Sequence, residues 1–285
     1  MMRSGTRLAA WATTAVFAAV LLAGCSGAPE SAATDADCTP AATFDTISPG
    51  RLTVIAVNNM PKFSVAAEGT GPADGIDGQM VTRFAEENCL QPYFIPLSGP
   101  AATQAIQDGK GDLWVSGIVK SEERAKILTQ TDTLTYDVVS IASKDGYSTI
   151  ADIEGKTVGA AQGTAFLPAL AETIGQDNIR EYQNPDGGYQ DLEAGRIDAF
   201  LAYSVDQMWY LESHPNSDLQ VVLLDEDPDN ELITGVRETN WPHPFGNDAL
   251  TDAINAFFAE IREDGTLKET LEAFNLKDPL YLEGR

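Results

Sequence analysis

The stretch Asp112-Leu113-Trp114-Val115-Ser116-Gly117-Ile118-Val119-Lys120-Ser121-Glu122-Glu123-Arg124 decides the fold class. Residues 112–116 read as a β-strand, Gly117 turns the chain, and Ser121 stands where a helix takes its N-cap. A strand handed to a helix through glycine is the unit of an α/β protein, and the unit recurs in both directions. Upstream, 52–57 is a β-branched run opened by Pro49-Gly50, followed by a helical period over 80–87, a strand over 93–97 and a helix over 103–107. Downstream, a strand over 138–143 leads into the turn Lys144-Asp145-Gly146. Strands over 157–161, 179–182 and 197–202 then alternate with helices over 164–174, 189–194 and 205–212. The last strands read as 221–224 and 232–236, and amphipathic helices over 249–261 and 266–274 close the chain.

Two α/β blocks follow, each of ordinary domain size. The closing helices have no later strand to cover, so they are expected to pack on the first block. The chain must then cross between lobes twice, near 140–144 and 232–236, which makes a two-stranded hinge with a cleft beside it. Lobe one is expected to span 44–141 with 235–285, and lobe two 142–234.

The amino terminus reads as a targeting segment. Arg3 and Arg7 precede an apolar run over 8–22 that is too short for a permanent membrane span. It ends in Leu22-Ala23-Gly24-Cys25, which resembles the lipobox of bacterial lipoproteins. By that resemblance 1–24 is a signal peptide and Cys25 carries the lipid anchor, palmitate among its acyl groups. The alternative is a plain secretory signal. Residues 25–43 follow as a flexible tether rich in Ala, Ser, Asp and Gly. Export makes Cys38 and Cys89 a candidate disulfide. Neither has a second Cys or His at metal-ligand spacing, so no metal is expected.

The net charge of −25 excludes nucleic acid as a partner, because phosphates demand Lys and Arg. The two histidines, His214 and His243, each precede proline and offer no catalytic constellation. No catalytic residue and no cofactor is assigned.

Arg124 carries the strongest local chemistry. A cation in a helix's first turn opposes the helix dipole. It either pairs on the surface with Glu122 or Glu123, or joins free backbone N–H groups in an anion site suited to a carboxylate. A second strand-to-helix turn, Ala161-Gln162-Gly163-Thr164, could face it across the cleft.

Five segments in register extend this reading. They are Gly50-Arg51-Leu52-Thr53-Val54, Asp108-Gly109-Lys110-Gly111-Asp112, Ile153-Glu154-Gly155-Lys156-Thr157-Val158-Gly159, Leu192-Glu193-Ala194-Gly195-Arg196-Ile197-Asp198-Ala199, and the Asp264-Gly265-Thr266 turn. With the Arg124 segment they make the chain, from 50 to about 276, similar to the amino-acid-type (family 3) extracellular solute-binding proteins of ABC importers. The resemblance implies a two-lobed, periplasmic-binding-protein-like (type II) fold. It also implies a small carboxylate-bearing ligand, an ABC permease as membrane partner, and a monomer held at the cell membrane by its lipid.

It further implies site residues. Arg124 clamps the carboxylate, with Ser121 where threonine is usual, Gly117 and Val119 at the strand exit, and Thr164 and Ala165 donating from lobe two. Phe63 or Met60 covers the ligand, and Asn58 and Asn59 offer polar contacts. Members that bind α-amino acids hold the ammonium with an aspartate after the lobe-two strand. Tyr203 stands there in this sequence, so either Asp206, the nearest acid, serves through a shifted turn or the ligand has no α-ammonium in the usual place. Gly99 or Pro100 replaces a second aromatic, and Tyr189 and Trp209 are further candidates for the wall. Two other functions use the same fold: a cyclohexadienyl-dehydratase-like enzyme and a ligand-sensing receptor.

Overall fold

Leu52, Val54 and Ile55 are fully buried along one strand, as a parallel strand covered on both faces requires. In the computed structural model, which describes residues 38–57, 60, 62–71 and 73–284, that strand is Arg51–Val57. It pairs in parallel with Gln91–Leu97 on one side and Leu113–Val115 on the other. On one face Leu52 and Val54 lie beneath the helix Ile76–Glu87 and the closing helices Asp248–Glu263 and Thr266–Ala273. Phe84, Trp241, Phe257 and Phe258 pack ring to ring there. On the other face Ile55 and Trp114 meet Ile106 of the helix Gly99–Gln107. The closing helices thus borrow the first sheet, as two helices without strands must.

The second sheet has five strands in the order Ile179–Tyr182, Val158–Ala161, Ala199–Tyr203, Val139–Ser143 and Gln220–Leu223. The first three are parallel, and Val139–Ser143 runs antiparallel to both its neighbours. One face is filled around Phe166, Leu170 and Leu201, the other around Tyr189, Phe200 and Tyr210. The helix expected from residue 164 starts later, at Leu167. Pro168, which lacks an N–H, fits only its first turn, so 164–166 remain loop.

The passages between the sheets differ from the sequence reading. Residues 232–236 are not a strand: Glu231–Thr234 is one helical turn, and Leu232 is 67% exposed. The strand is the polar Arg237–Asn240. Likewise Val139–Ser143 is wholly buried within the second sheet, and the crossing segment is Tyr136–Asp137 just before it. Arg237–Asn240 pairs antiparallel with both Tyr136–Asp137 and Ile118–Val119. The two crossing segments are therefore ladder partners in one three-stranded sheet.

Cys38 and Cys89 form a disulfide with Cα atoms 5.8 Å apart. The Ala41 N–H donates to the Glu87 carbonyl and the Ala42 N–H to Asn88 Oδ1, each at 2.9 Å. The tether expected to run to residue 43 is thus fastened to the first lobe from Cys38 onward. The signal segment and Cys25 lie outside the described residues. Those described belong to the unit Ala32–Arg285, and none of their helices is long and apolar enough to cross a membrane.

Candidate ligand-binding site

The strand Leu113–Val115 ends in two successive left-handed residues, Ser116 at φ 101° and Gly117 at φ 62°. Non-glycine residues avoid that region, so something must hold Ser116 there. Asp77, buried at the start of the helix Ile76–Glu87, accepts the N–H groups of Ser116 and Gly117 on one oxygen, each at 2.7 Å. Burial pushes the Asp77 carboxyl up to about 6, against the pull of the Gly117 and Ser116 amides. A Cβ on Gly117 would lie 2.6 Å from the Phe63 ring, so glycine is required there for space as well as for φ.

This turn delivers Arg124. Ile118–Val119 joins the hinge sheet, and Ser121 Oγ accepts the Arg124 N–H at 3.2 Å as the N-cap of the one-turn helix Glu122–Ala125. The guanidinium donates to the Val119 carbonyl and stands 5.3 Å from the centre of the Trp114 ring. Burial lowers its pKa, while the charges of Tyr203 and Glu123 raise it. Glu122 and Glu123 are exposed, and among the described residues no carboxylate lies within ion-pair reach of Arg124. The surface-pairing alternative is therefore not what the structure contains.

Arg124 opens onto a cavity of about 420 Å³ between the sheets. From the other side come Thr164, Ala165, Tyr203 and Asp206. Tyr203 ends the strand Ala199–Tyr203, and Asp206 sits in the first turn of the helix Ser204–Ser213. Among the described residues the Tyr203 hydroxyl and Asp206 Oδ1 have no hydrogen-bond partner. Burial raises the Asp206 pKa well above the usual carboxylate range, and the charge of Asp137 raises it further. Asp137, on a hinge strand, is pushed up to about 7 by its own burial despite hydrogen bonds from Ser204 and Val138. Burial also raises the Tyr203 phenol, with Arg124 opposing and Asp206 reinforcing the shift. Tyr203 thus lies in electrostatic reach of both charged groups.

Of the residues singled out in the sequence, Arg124, Gly117, Val119, Met60, Thr164, Ala165, Tyr203 and Asp206 line this one cavity. Gly99 and Pro100 line it too, where an absent side chain leaves room. Phe63 does not: it is 2% exposed in the first core, beneath Gly117. Ser121 caps its helix rather than lining the cavity, and Tyr189 stacks on Tyr210 in the second core. Asn58 and Asn59 lie outside the described residues. Sequence reasoning missed Trp114, Gln162 and Gln183 as lining residues. Strand alternation could have found Trp114, because it faces opposite Leu113 and Val115. Among the described residues no group of His, Cys, Asp or Glu could hold a metal ion.

The model of the bacterial extracellular solute-binding proteins, family 3, matches residues 52–277, nearly all of both sheets and the closing helices. The chain belongs to this family. It is a solute-binding protein and not an enzyme. The L-cystine-binding protein TcyJ of Escherichia coli (strain K12) is 26% identical over 231 residues, 78% of this chain and 82% of the relative. ABC transporter arginine-binding protein 1 of the same strain is 29% identical over 207 residues, 68% of this chain and 79% of the relative. Among solved structures, an ancestral arginine-binding protein bound to glutamine superposes with a TM-score of 0.69 at 23% identity, covering 80% of this chain and 98% of that one. That likeness establishes the two-lobed type II fold of the family-3 chain.

Proposed function

We propose that this solute-binding protein captures an α-amino acid outside the cytoplasm and delivers it to the permease of an ABC importer. The observation that carries the reading is a permanent cation and a buried carboxyl facing one cavity. Arg124 has no carboxylate partner among the described residues, and Asp206 keeps an unpartnered oxygen. An α-amino acid brings the complementary pair. Its carboxylate suits the planar fork of Arg124, assisted by the amides of Thr164 and Ala165, which carry no hydrogen bond among the described residues. Its ammonium suits Asp206, one helical turn beyond Tyr203. Gly117, Val119 and Met60 complete the walls, and Asn58 belongs to the adjoining segment. The names of the curated relatives, which bind cystine, arginine or histidine, support the same substrate class.

In this reading the chain is exported and works as a monomer, anchored through a lipid on Cys25. The Cys38–Cys89 bridge supports the oxidising compartment. The lobes divide at the crossing strands Tyr136–Asp137 and Arg237–Asn240. Arg124→Ala tests the assignment. Calorimetry with the common L-amino acids should show affinity for the wild-type ligand falling roughly thirty- to several-thousand-fold, as when a buried charge pair loses one partner. Unchanged affinity would remove Arg124 from the site.

A further inference from the structure

We propose that the cavity selects α-amino acids whose side chains carry no net charge, an inference that rests on the α-amino acid reading above. Among the described lining residues one side chain is a carboxyl, Asp206, and one is a permanent cation, Arg124. The neighbours of Met60 outside the described residues are Asn58, Asn59 and Pro61, which add no charge. The ligand's own carboxylate and ammonium occupy both charged groups. What remains for the side chain is uncharged: Val57, Met60, Trp114 and Ile118 as apolar wall, and Gln162 and Gln183 as amides.

Other charges stand close to the cavity without lining it, among them Arg237, which acts on Tyr203 and donates to the Glu231 carbonyl. Asp137 accepts the Ser204 hydroxyl at 2.6 Å, and Glu238 pairs with Lys120 at 3.0 Å. The buried Lys62 pairs with Glu212 and also donates to the Phe274 carbonyl. Glu123 is exposed. A lysine, arginine, aspartate or glutamate side chain would therefore enter as a third charge without a counter-ion, and its desolvation would go uncompensated. A neutral polar side chain meets no such cost. The Gln162 and Gln183 amides can bond it, and the Trp114 Nε1–H is buried without a partner among the described residues.

The test is calorimetry on the wild-type protein with pairs matched in shape and differing in charge: glutamine and glutamate, citrulline and arginine, norleucine and lysine. The neutral member should bind about thirtyfold or more tightly than its charged partner, the discrimination that an unpaired buried charge imposes. A charged member that binds as tightly as its neutral partner, and loses binding in Arg124→Ala, would overturn the selectivity and leave the amino-acid reading standing. No binding by any amino acid would overturn that reading, and this inference with it.

Discussion

Replacing Asp206 with asparagine should move stability and ligand affinity in opposite directions. In the ligand-free cleft Asp206 is a desolvated acid with one unpartnered oxygen, facing the charge of Asp137. Its folded-state pKa is raised, so the folded chain keeps a proton that the unfolded chain sheds. Its contribution is therefore favourable below the ordinary carboxylate pKa and is lost as pH rises toward the raised one. Asparagine has the same shape and does not titrate. At about pH 8 the variant should be more stable than wild type by roughly 1–3 kcal/mol, because the wild-type acid is strongly disfavoured as an anion in its buried site whereas asparagine does not titrate. By about pH 3 the two should converge, since the wild-type acid is then protonated in both states.

Binding runs the other way. The ligand ammonium needs the carboxylate, so Asp206→Asn should cost about 2–5 kcal/mol of affinity. Wild-type binding should also release a proton wherever the free acid is still protonated, because the bound ammonium favours the ionised form. Urea titrations at the two pH values, with calorimetry in buffers of different ionisation enthalpy, read all three effects. A variant that is less stable at the higher pH yet binds the tightest wild-type amino acid unchanged would show Asp206 to be a structural acid, and the ammonium assignment would be wrong.

Two further outcomes follow from the first lobe. Removing the Cys38–Cys89 bridge by a double serine replacement should cost roughly 4 kcal/mol, the loop entropy of a 51-residue separation, and leave amino-acid affinity unaltered; an unchanged urea midpoint would refute it. Gly117→Ala should cost about 1–3 kcal/mol through its left-handed φ and the Phe63 ring, and should weaken binding by displacing the turn that carries Arg124. A variant with wild-type stability and affinity would show that the turn adapts freely.

The sheets were legible because burial on both faces leaves dense β-branched runs such as Arg51–Val57 and Val139–Ser143. The hinge was not. Ile118–Val119 and Tyr136–Asp137 are two residues long, and Arg237–Asn240 is largely polar, since its ladder bonds rather than its side chains define it. The apolar Leu232-Ile233-Thr234 drew the expected strand one turn too early. Within the site, Arg124 stood out because a first-turn cation works against the helix dipole, a conflict visible in one dimension. Phe63 gave no such signal. An aromatic just past the first strand fits a ligand lid and a core plug equally, and only Gly117, distant in sequence, decides between them.

The hinge sheet also explains why two charges from different lobes can act together. Arg124 hangs from Val119, which is paired with Thr239 on one hinge strand. Asp206 rides on the helix that begins at Ser204, and Ser204 is bonded to Asp137 on the other. Arg237 and Asp137 are register partners, so a continuous chain of ladder pairs and hydrogen bonds joins the two walls. A zwitterion held by Arg124 and Asp206 completes that chain into a ring. Its differential affinity for an arrangement with both walls in reach is the free energy available to close the lobes, and a ligand lacking either charge leaves the ring open. Closure should therefore scale with the presence of both main-chain charges: the carboxamide or N-acetyl derivative of the bound amino acid should fail to produce the change in small-angle scattering that the free amino acid does. Equal compaction with either derivative would show that one wall alone drives closure.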